Sequence, residues 1–339
     1  MKSHYQTNET TEEFVEPTSQ RIIVINFGQL QSKRRSEKIK AEVIPSKTEM
    51  SSPEIYRKLL LYCLIPVTVV FTVTTILANG LFLIININRR HIRDMRIKLL
   101  MALSVVDFLQ GLLSWPSTTY IFIQAYQEEF VEAGEKLNII SGYTLSFSSG
   151  TMLFVIALEQ YFAVLHPYRH QMLFRAKKVL APALIFNIIL LVIGAVLYTK
   201  AIDWWNIFVI SVQCILFVSF FVTAYFYIRV WLVSRRIQRD ISNYDREEGL
   251  RIKKESKAAK TSCLVLLTFL FCYAPITIIH LSDRKMLIPL FFRVWVPGMI
   301  AMSKSTWNPM IYFWRLKTVR VATRHFITGL VGIHVQPQD

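Results

Sequence analysis

Of the 339 residues, 53% are hydrophobic and only 18% charged, a balance too apolar for an ordinary soluble domain of this size. The formal charge of +16 falls in short segments between long apolar runs, which excludes the basic groove of a nucleic-acid-binding domain and points to loops sorted across a bilayer. The four cysteines, Cys63, Cys214, Cys263 and Cys272, each lie inside an apolar run, so neither a disulfide nor a metal cluster is expected.

In chain order, residues 1–56 read as an extracellular, disordered tail. Its opening, MKSHYQTNET, lacks the basic segment and apolar stretch of a cleavable signal peptide, so the first span is expected to act as the insertion signal. Asn8-Glu9-Thr10 is a glycosylation sequon, and the patch Ile22 to Phe27 is too short to span. Residues 57–314 form the membrane domain. Its runs fall at about Leu59 to Asn86, Ile97 to Ala125, Leu137 to Leu165, Val179 to Tyr198, Trp204 to Val233, Ser256 to Leu281 and Ile288 to Trp314, each near the roughly 20 residues a helix needs to cross hydrocarbon. Residues 315–339 begin with Arg315, Lys317 and Arg320 beside Leu316, Val319, Phe326 and Ile327, the pattern of a helix lying on the inner leaflet. The expected fold is an all-α membrane protein, a seven-transmembrane helix bundle with a short amphipathic C-terminal helix.

Orientation follows from the connections. Arg89, Arg90, Arg93 and Arg96 lie in the first; Arg169, Arg175, Lys177 and Lys178 in the third; and Arg235, Arg236, Arg239, Lys253, Lys254 and Lys257 in the fifth. The second instead carries Glu128, Glu129, Glu132 and Glu135. Basic loops stay cytoplasmic, so the N-terminus is expected outside and the C-terminus inside, in the plasma membrane. Lys33, Arg34, Arg35, Lys38 and Lys40 in the tail oppose that sum.

A charge at bilayer depth costs about 2.5–3.5 kcal/mol even on the lenient insertion scale. Asp107 lies in the second run, and Asn79 on the first and Asn308 on the seventh are the polar groups expected to face it inside the bundle. Pro275 and Pro309 interrupt the last two runs, each removing a helix hydrogen bond.

Taken together and in order, these residues resemble the rhodopsin-like receptor family. Ala78-Asn79 looks like the Gly-Asn of that family's first helix, and Leu103-Ser104-Val105-Val106-Asp107 like its Leu-Ala-x-x-Asp. Glu159-Gln160-Tyr161, followed by Val164 and Pro167, resembles the Asp-Arg-Tyr box, and Phe269-x-x-Cys272-Tyr273-x-Pro275 resembles Phe-x-x-Cys-Trp-x-Pro. Asn308-Pro309-Met310-Ile311-Tyr312 matches Asn-Pro-x-x-Tyr. The resemblance, from about Tyr56 to Leu330, implies a G-protein-coupled receptor whose sixth helix swings outward to admit a heterotrimeric G protein. By that likeness Tyr273 lies under the ligand, Phe269 and Pro275 form the hinge, and Tyr227 and Tyr312 close the active state.

Three departures stand out. Gln160 replaces the family's arginine and cannot make its forked, charge-assisted contacts, so the lock to Glu255 at the base of the sixth span is expected to be absent. The outer disulfide also looks missing, because Glu135 heads the third span and the loop from Thr199 to Asp203 holds no cysteine. Melanocortin, cannabinoid and lysophospholipid receptors resemble the chain in lacking it at the third helix, and the very short second outer loop resembles the melanocortin group. Lys304, where the family has an asparagine near its sodium-binding aspartate, is expected to bring an ammonium to Asp107.

The rival readings are less well supported. An opsin carries its retinal lysine where Met302 stands, two residues before Lys304. A transporter would show repeats or broken helices, and the sequence has no nucleophile elbow, His-Glu-x-x-His or phosphate loop of an enzyme. His166 and His170 flank a loop proline and are expected to be solvated. For the ligand face, Gly142, Tyr143, Ser146, Ser211, Ile276, Thr277, His280, Trp295 and Gly298 are expected to border the outer cavity. No aspartate stands at the third-helix position that amine receptors use. A lipid-like or small neutral ligand suits such a cavity, with a cationic peptide steered by the acidic second connection as the other option. Expected partners are that ligand, a G protein and membrane lipids, with no nucleic acid, cofactor or metal.

Overall fold

In the computed structural model, residues 53–87, 95–127, 132–174, 176–200, 202–239, 260–261, 263–265, 267–276, 278 and 290–330 are described. Every element among them is helical. The first span runs through α1 (Pro53–Leu59), a π-helical turn (Leu60–Leu64) and α2 (Ile65–Ile87). The second is α3 (Met95–Gln127) and the third α4 (Glu132–Leu165), followed by the short α5 (Pro167–Leu173). The fourth and fifth spans are α6 (Ala176–Lys200) and α7 (Ile202–Arg239). The sixth contributes the apolar helical segment Cys263–Ile276. The seventh is α8 (Leu290–Arg315), and α9 (Lys317–Leu330) follows it.

Five of these helices are long and apolar enough to cross a membrane. The seventh span has the length but not the uniform hydropathy, since Lys304, Ser303, Ser305, Thr306 and Asn308 lie on it and are buried. Those residues identify the side that faces the other helices. The opposite pattern marks the lipid side: Val69, Val70 and Val73 on α2, Ile185, Ile188 and Val192 on α6, and Phe217, Val218 and Phe221 on α7 are all exposed. This is an inside-out hydrophobic distribution whose apolar surface needs hydrocarbon as its solvent.

The third span is central, packing against α3, α5, α6, α7 and α8. Towards the end that bears α9, Leu99, Leu103, Met152, Ile156, Val265, Phe269, Ile311 and Tyr312 form one buried cluster, and Val319 of α9 joins it. At the other end Leu60, Trp115, Phe122, Trp295, Met299 and Met302 form a second, between the first, second and seventh spans. Prolines Pro116, Pro182, Pro297 and Pro309 all lie inside helices.

Candidate functional site: a polar hub and a switch end

Between the two apolar clusters lies a polar hub on three spans. Asp107 is fully buried. Ser149 on α4 donates a hydrogen bond to its Oδ1 at 2.9 Å, and the Asn308 amide on α8 donates to its Oδ2 at 2.7 Å. The Lys304 ammonium stands 3.7 Å from Oδ1, with neither side chain exposed. The same ammonium donates to Gln110 Oε1 at 3.3 Å, and the Gln110 amide donates to Ser146 Oγ at 3.3 Å. Local helix geometry explains the convergence. Lys304 and Asn308 are four residues apart, and Asp107 and Gln110 three apart, so each pair shares a helix face.

Asn79 takes another partner. Its amide donates to Thr75 O and across to Ser305 O on α8, both at 3.0 Å. It therefore ties the first span to the seventh beside the hub, rather than bonding the Asp107 carboxylate. Thr75 and Thr306 add a hydroxyl pair at 2.5 Å in the same seam.

Next to the hub on the sixth span, the Phe269 and Tyr273 rings stack at 4.4 Å and 21°, and the Lys304 ammonium lies 6.0 Å from the Phe269 ring centre. Pro275 follows in the same segment, half-buried. A side chain begun at Gly150 would meet Leu216 Cδ2 at 2.5 Å and Phe269 Cζ at 3.3 Å, so the glycine admits these residues close to the third span.

At the end bearing α9, Glu159 and Gln160 are buried, as are Tyr227 and Tyr312. Tyr312 packs on Phe82 at 5.3 Å, and Tyr161 on Phe226 at 4.7 Å. Pro309 is buried beside them. His170 is not solvated as expected: its Nε2 lies 2.9 Å from Glu159 Oε1, because α5 carries it back against the third span. His166, at the start of that turn, is exposed. Arg96, counted with the first loop, is a buried residue of the first turn of α3, its Nε 3.6 Å from Glu159 Oε2.

Among the expected cavity residues, Tyr143 and Ser146 lie on α4, with Tyr143 packed by Tyr198 and Phe208. Trp295 is buried in the cluster at the α1 end of the bundle, and Ile276 is half-buried. Ser211 is not brought to them: it is exposed on α7 and its hydroxyl donates to Ile207 O at 2.7 Å. Met302 is buried, its sulfur 3.9 Å from where a Gly142 side chain would begin. Asn8, Glu255, Thr277 and His280 fall outside the described residues. Ser149, Gln110 and Arg96 were missed as site residues. Gln110 and Ser149 lie one and three helical turns from Asp107 and Gln160 respectively, the only signal the sequence offered for either.

This bundle and its polar hub define a seven-helix membrane receptor. The 7 transmembrane receptor (rhodopsin family) matches residues 78–312, and the chain belongs to that family. It is 26% identical to trace amine-associated receptor 1 of Homo sapiens over 306 residues, 77% of this chain and 86% of that one. With trace amine-associated receptor 2 of Rattus norvegicus it shares 24% over 270 residues, 69% and 75% of the two chains. The match to trace amine-associated receptor 5 of Mus musculus is 27% over 131 residues and spans 36% of that receptor's length.

Proposed function

We propose that the receptor transmits binding of an extracellular ligand to heterotrimeric G proteins through outward movement of the sixth helix. The observation that carries this is the placement of the Asp107 hub, which joins the second, third and seventh spans directly beside the Phe269–Tyr273 stack of the sixth. A ligand above that stack biases two packings of the bundle only as far as its affinities for them differ. Phe269 and Pro275 serve as the hinge, Tyr227 and Tyr312 as the closing tyrosines, and Glu159-Gln160-Tyr161 as the inner face. With Gln160 neutral, the third and sixth spans have no arginine pairing through this position. The tail with Asn8 is outside, α9 lies on the cytoplasmic leaflet, and the chain works in the plasma membrane without catalysing a reaction.

For the ligand, we favour a small neutral or lipid-like molecule. The relatives' names point instead to amines, and an amine needs a carboxylate. The third-helix position that amine receptors use offers none, and Asp107 is already engaged by Lys304, Ser149 and Asn308. The buried Glu135 is what keeps an amine as the second reading. The similarity of the outer ends to melanocortin, cannabinoid and lysophospholipid receptors has no counterpart among the three relatives above. A library of neutral lipids, small neutral compounds, aryl amines and basic peptides, screened on the expressed receptor for G-protein activation, tests the proposal. Responses to neutral members support it. Responses confined to amines and removed by Glu135→Gln replace it with the amine reading, and no activation of any G protein by any member counts against coupling itself.

A further inference from the structure

The end of the bundle bearing α9 holds a charge cluster around Glu159 whose other members, Arg96 and His170, the transmission route does not use. Glu159 is 2% exposed and meets basic side chains from two other elements. Arg96, on the first turn of α3, reaches Oε2 at 3.6 Å, and His170, on α5, reaches Oε1 at 2.9 Å. Gln160 brings no charge, so the described basic partners of this carboxylate come from the second span and from the short helix. The His170 ring also lies flat on Phe174 at 5.3 Å and 17°, and Phe174 packs against Phe162 of the third span at 5.7 Å. One imidazole thereby joins α5 to α4 by a polar contact on its edge and, through Phe174, by an apolar contact on its face.

The two basic groups differ in kind. A guanidinium keeps its charge at every physiological pH, whereas an imidazole gains or loses one between pH 5 and 8. Glu159 and, through it, Arg96 are the described charged groups that face His170 from the packed helices. On its own segment His166 and Arg169 are exposed. His170 itself is 23% exposed, enough for protons to reach it.

We infer that His170 is a proton-operated latch. Charging the imidazole turns its contact with Glu159 into a charge-assisted bond that holds α5 on the third span, and discharging it loosens that helix. Tyr168, Met172 and Leu173 of α5 are exposed, so the latch sets how firmly this surface is presented to a partner. Only the compartment whose protons work it rests on the proposed topology; acid on the cytoplasmic side tightens α5.

Hydrogen–deuterium exchange of the full chain in lipid nanodiscs, which expose both faces, reads the latch directly. Rates for the peptide covering Pro167–Leu173 are compared at about pH 6 and about pH 8, each divided by the intrinsic chemical rate at that pH. The expected result is about fivefold stronger protection at the lower pH, the scale of a partly exposed ion pair. His170→Gln keeps a hydrogen-bond donor but does not titrate, and with it protection becomes independent of pH. Glu159→Gln has the same effect by removing the anion. Equal protection at the two pH values in the parent, or a pH dependence that survives His170→Gln, overturns the latch. Because nanodiscs have no inside, neither result depends on sidedness or on G-protein coupling.

Discussion

An ammonium at bilayer depth costs about 2.5–3.5 kcal/mol even on the lenient scale, yet Lys304 is fully buried. What makes it tolerable is the carboxylate 3.7 Å away and the Gln110 carbonyl at 3.3 Å. The dependence runs both ways, since among the described residues Asp107 would otherwise face the hub with only two neutral donors, Ser149 and Asn308. Breaking a buried pair by removing one partner costs about 3–5 kcal/mol. Lys304→Met is therefore expected to lower the melting temperature of the purified receptor in choline chloride, and sodium chloride is expected to restore part of the loss by supplying the missing charge. The parent, with its own ammonium in place, responds equally to the two salts. Lys304→Met combined with Asp107→Asn removes both charges and should recover stability in either salt. A single mutant as stable as the parent in choline would show that the pair does not neutralise Asp107.

At the scale of the element, the half of the third span remote from α9 raises a different question. The cysteine that commonly ties this helix down is replaced by Glu135, and all four cysteines of the chain are free. A polar seam joins the helix to the second span instead. The Asn138 amide reaches Ser114 O at 3.0 Å, Ser117 Oγ at 3.2 Å and Thr118 Oγ1 at 2.5 Å, and Ser114 donates to Ser141 Oγ at 3.0 Å. Two amide hydrogens serve three acceptors, so one bond is shared. Interhelical polar contacts in membranes average only about 0.6 kcal/mol, with the strongest near 1.7. Asn138→Leu is thus expected to destabilise the receptor by about 1 kcal/mol, lowering the melting temperature by roughly 2–4 °C. Ser141→Ala should cost less, because Ser114 also accepts through its carbonyl from Asn138. If Asn138→Leu melts with the parent, the seam is not what holds the N-terminal end of α4.

For the whole molecule, what the sequence revealed was whatever has a local signature. Apolar runs gave the first five spans and the seventh to within a turn or two, while the ends expected for the sixth, Ser256 and Leu281, lie outside the described residues. Their ends were missed where a helix continues past the hydrocarbon into polar residues, as α4 does back to Glu132 and α7 on to Arg239. The seven-residue α5 has no apolar run at all, so His170 read as solvated. Asp107, Asn308 and Lys304 were legible because charge and amide groups in an apolar run need partners. Which partner each takes was not, since Ser149 and Lys304 meet Asp107 across 42 and 197 residues of chain. Sidedness is the remaining global property, and here two charge signals compete. Arg315, Lys317, Arg320 and Arg324 lie on or beside α9, and the first, third and fifth connections are basic, while five cations in the tail pull the other way. Loop charge near span ends governs orientation, whereas long segments translocate largely regardless of their charge. The tail cluster ends 13 residues before the first span at Pro53, but the loops together carry more cations close to span ends, so the loops should win. An epitope at the N-terminus is then expected to bind antibody on intact cells, and one after Asp339 only after permeabilisation. Replacing Lys33, Arg34, Arg35, Lys38 and Lys40 by alanine should leave that pattern unchanged, while adding two lysines to the acidic second connection should weaken it. Antibody reaching the C-terminal epitope on intact cells would put α9 and the Glu159 cluster outside, where no G protein could meet them, and the signalling direction proposed here would fail with it.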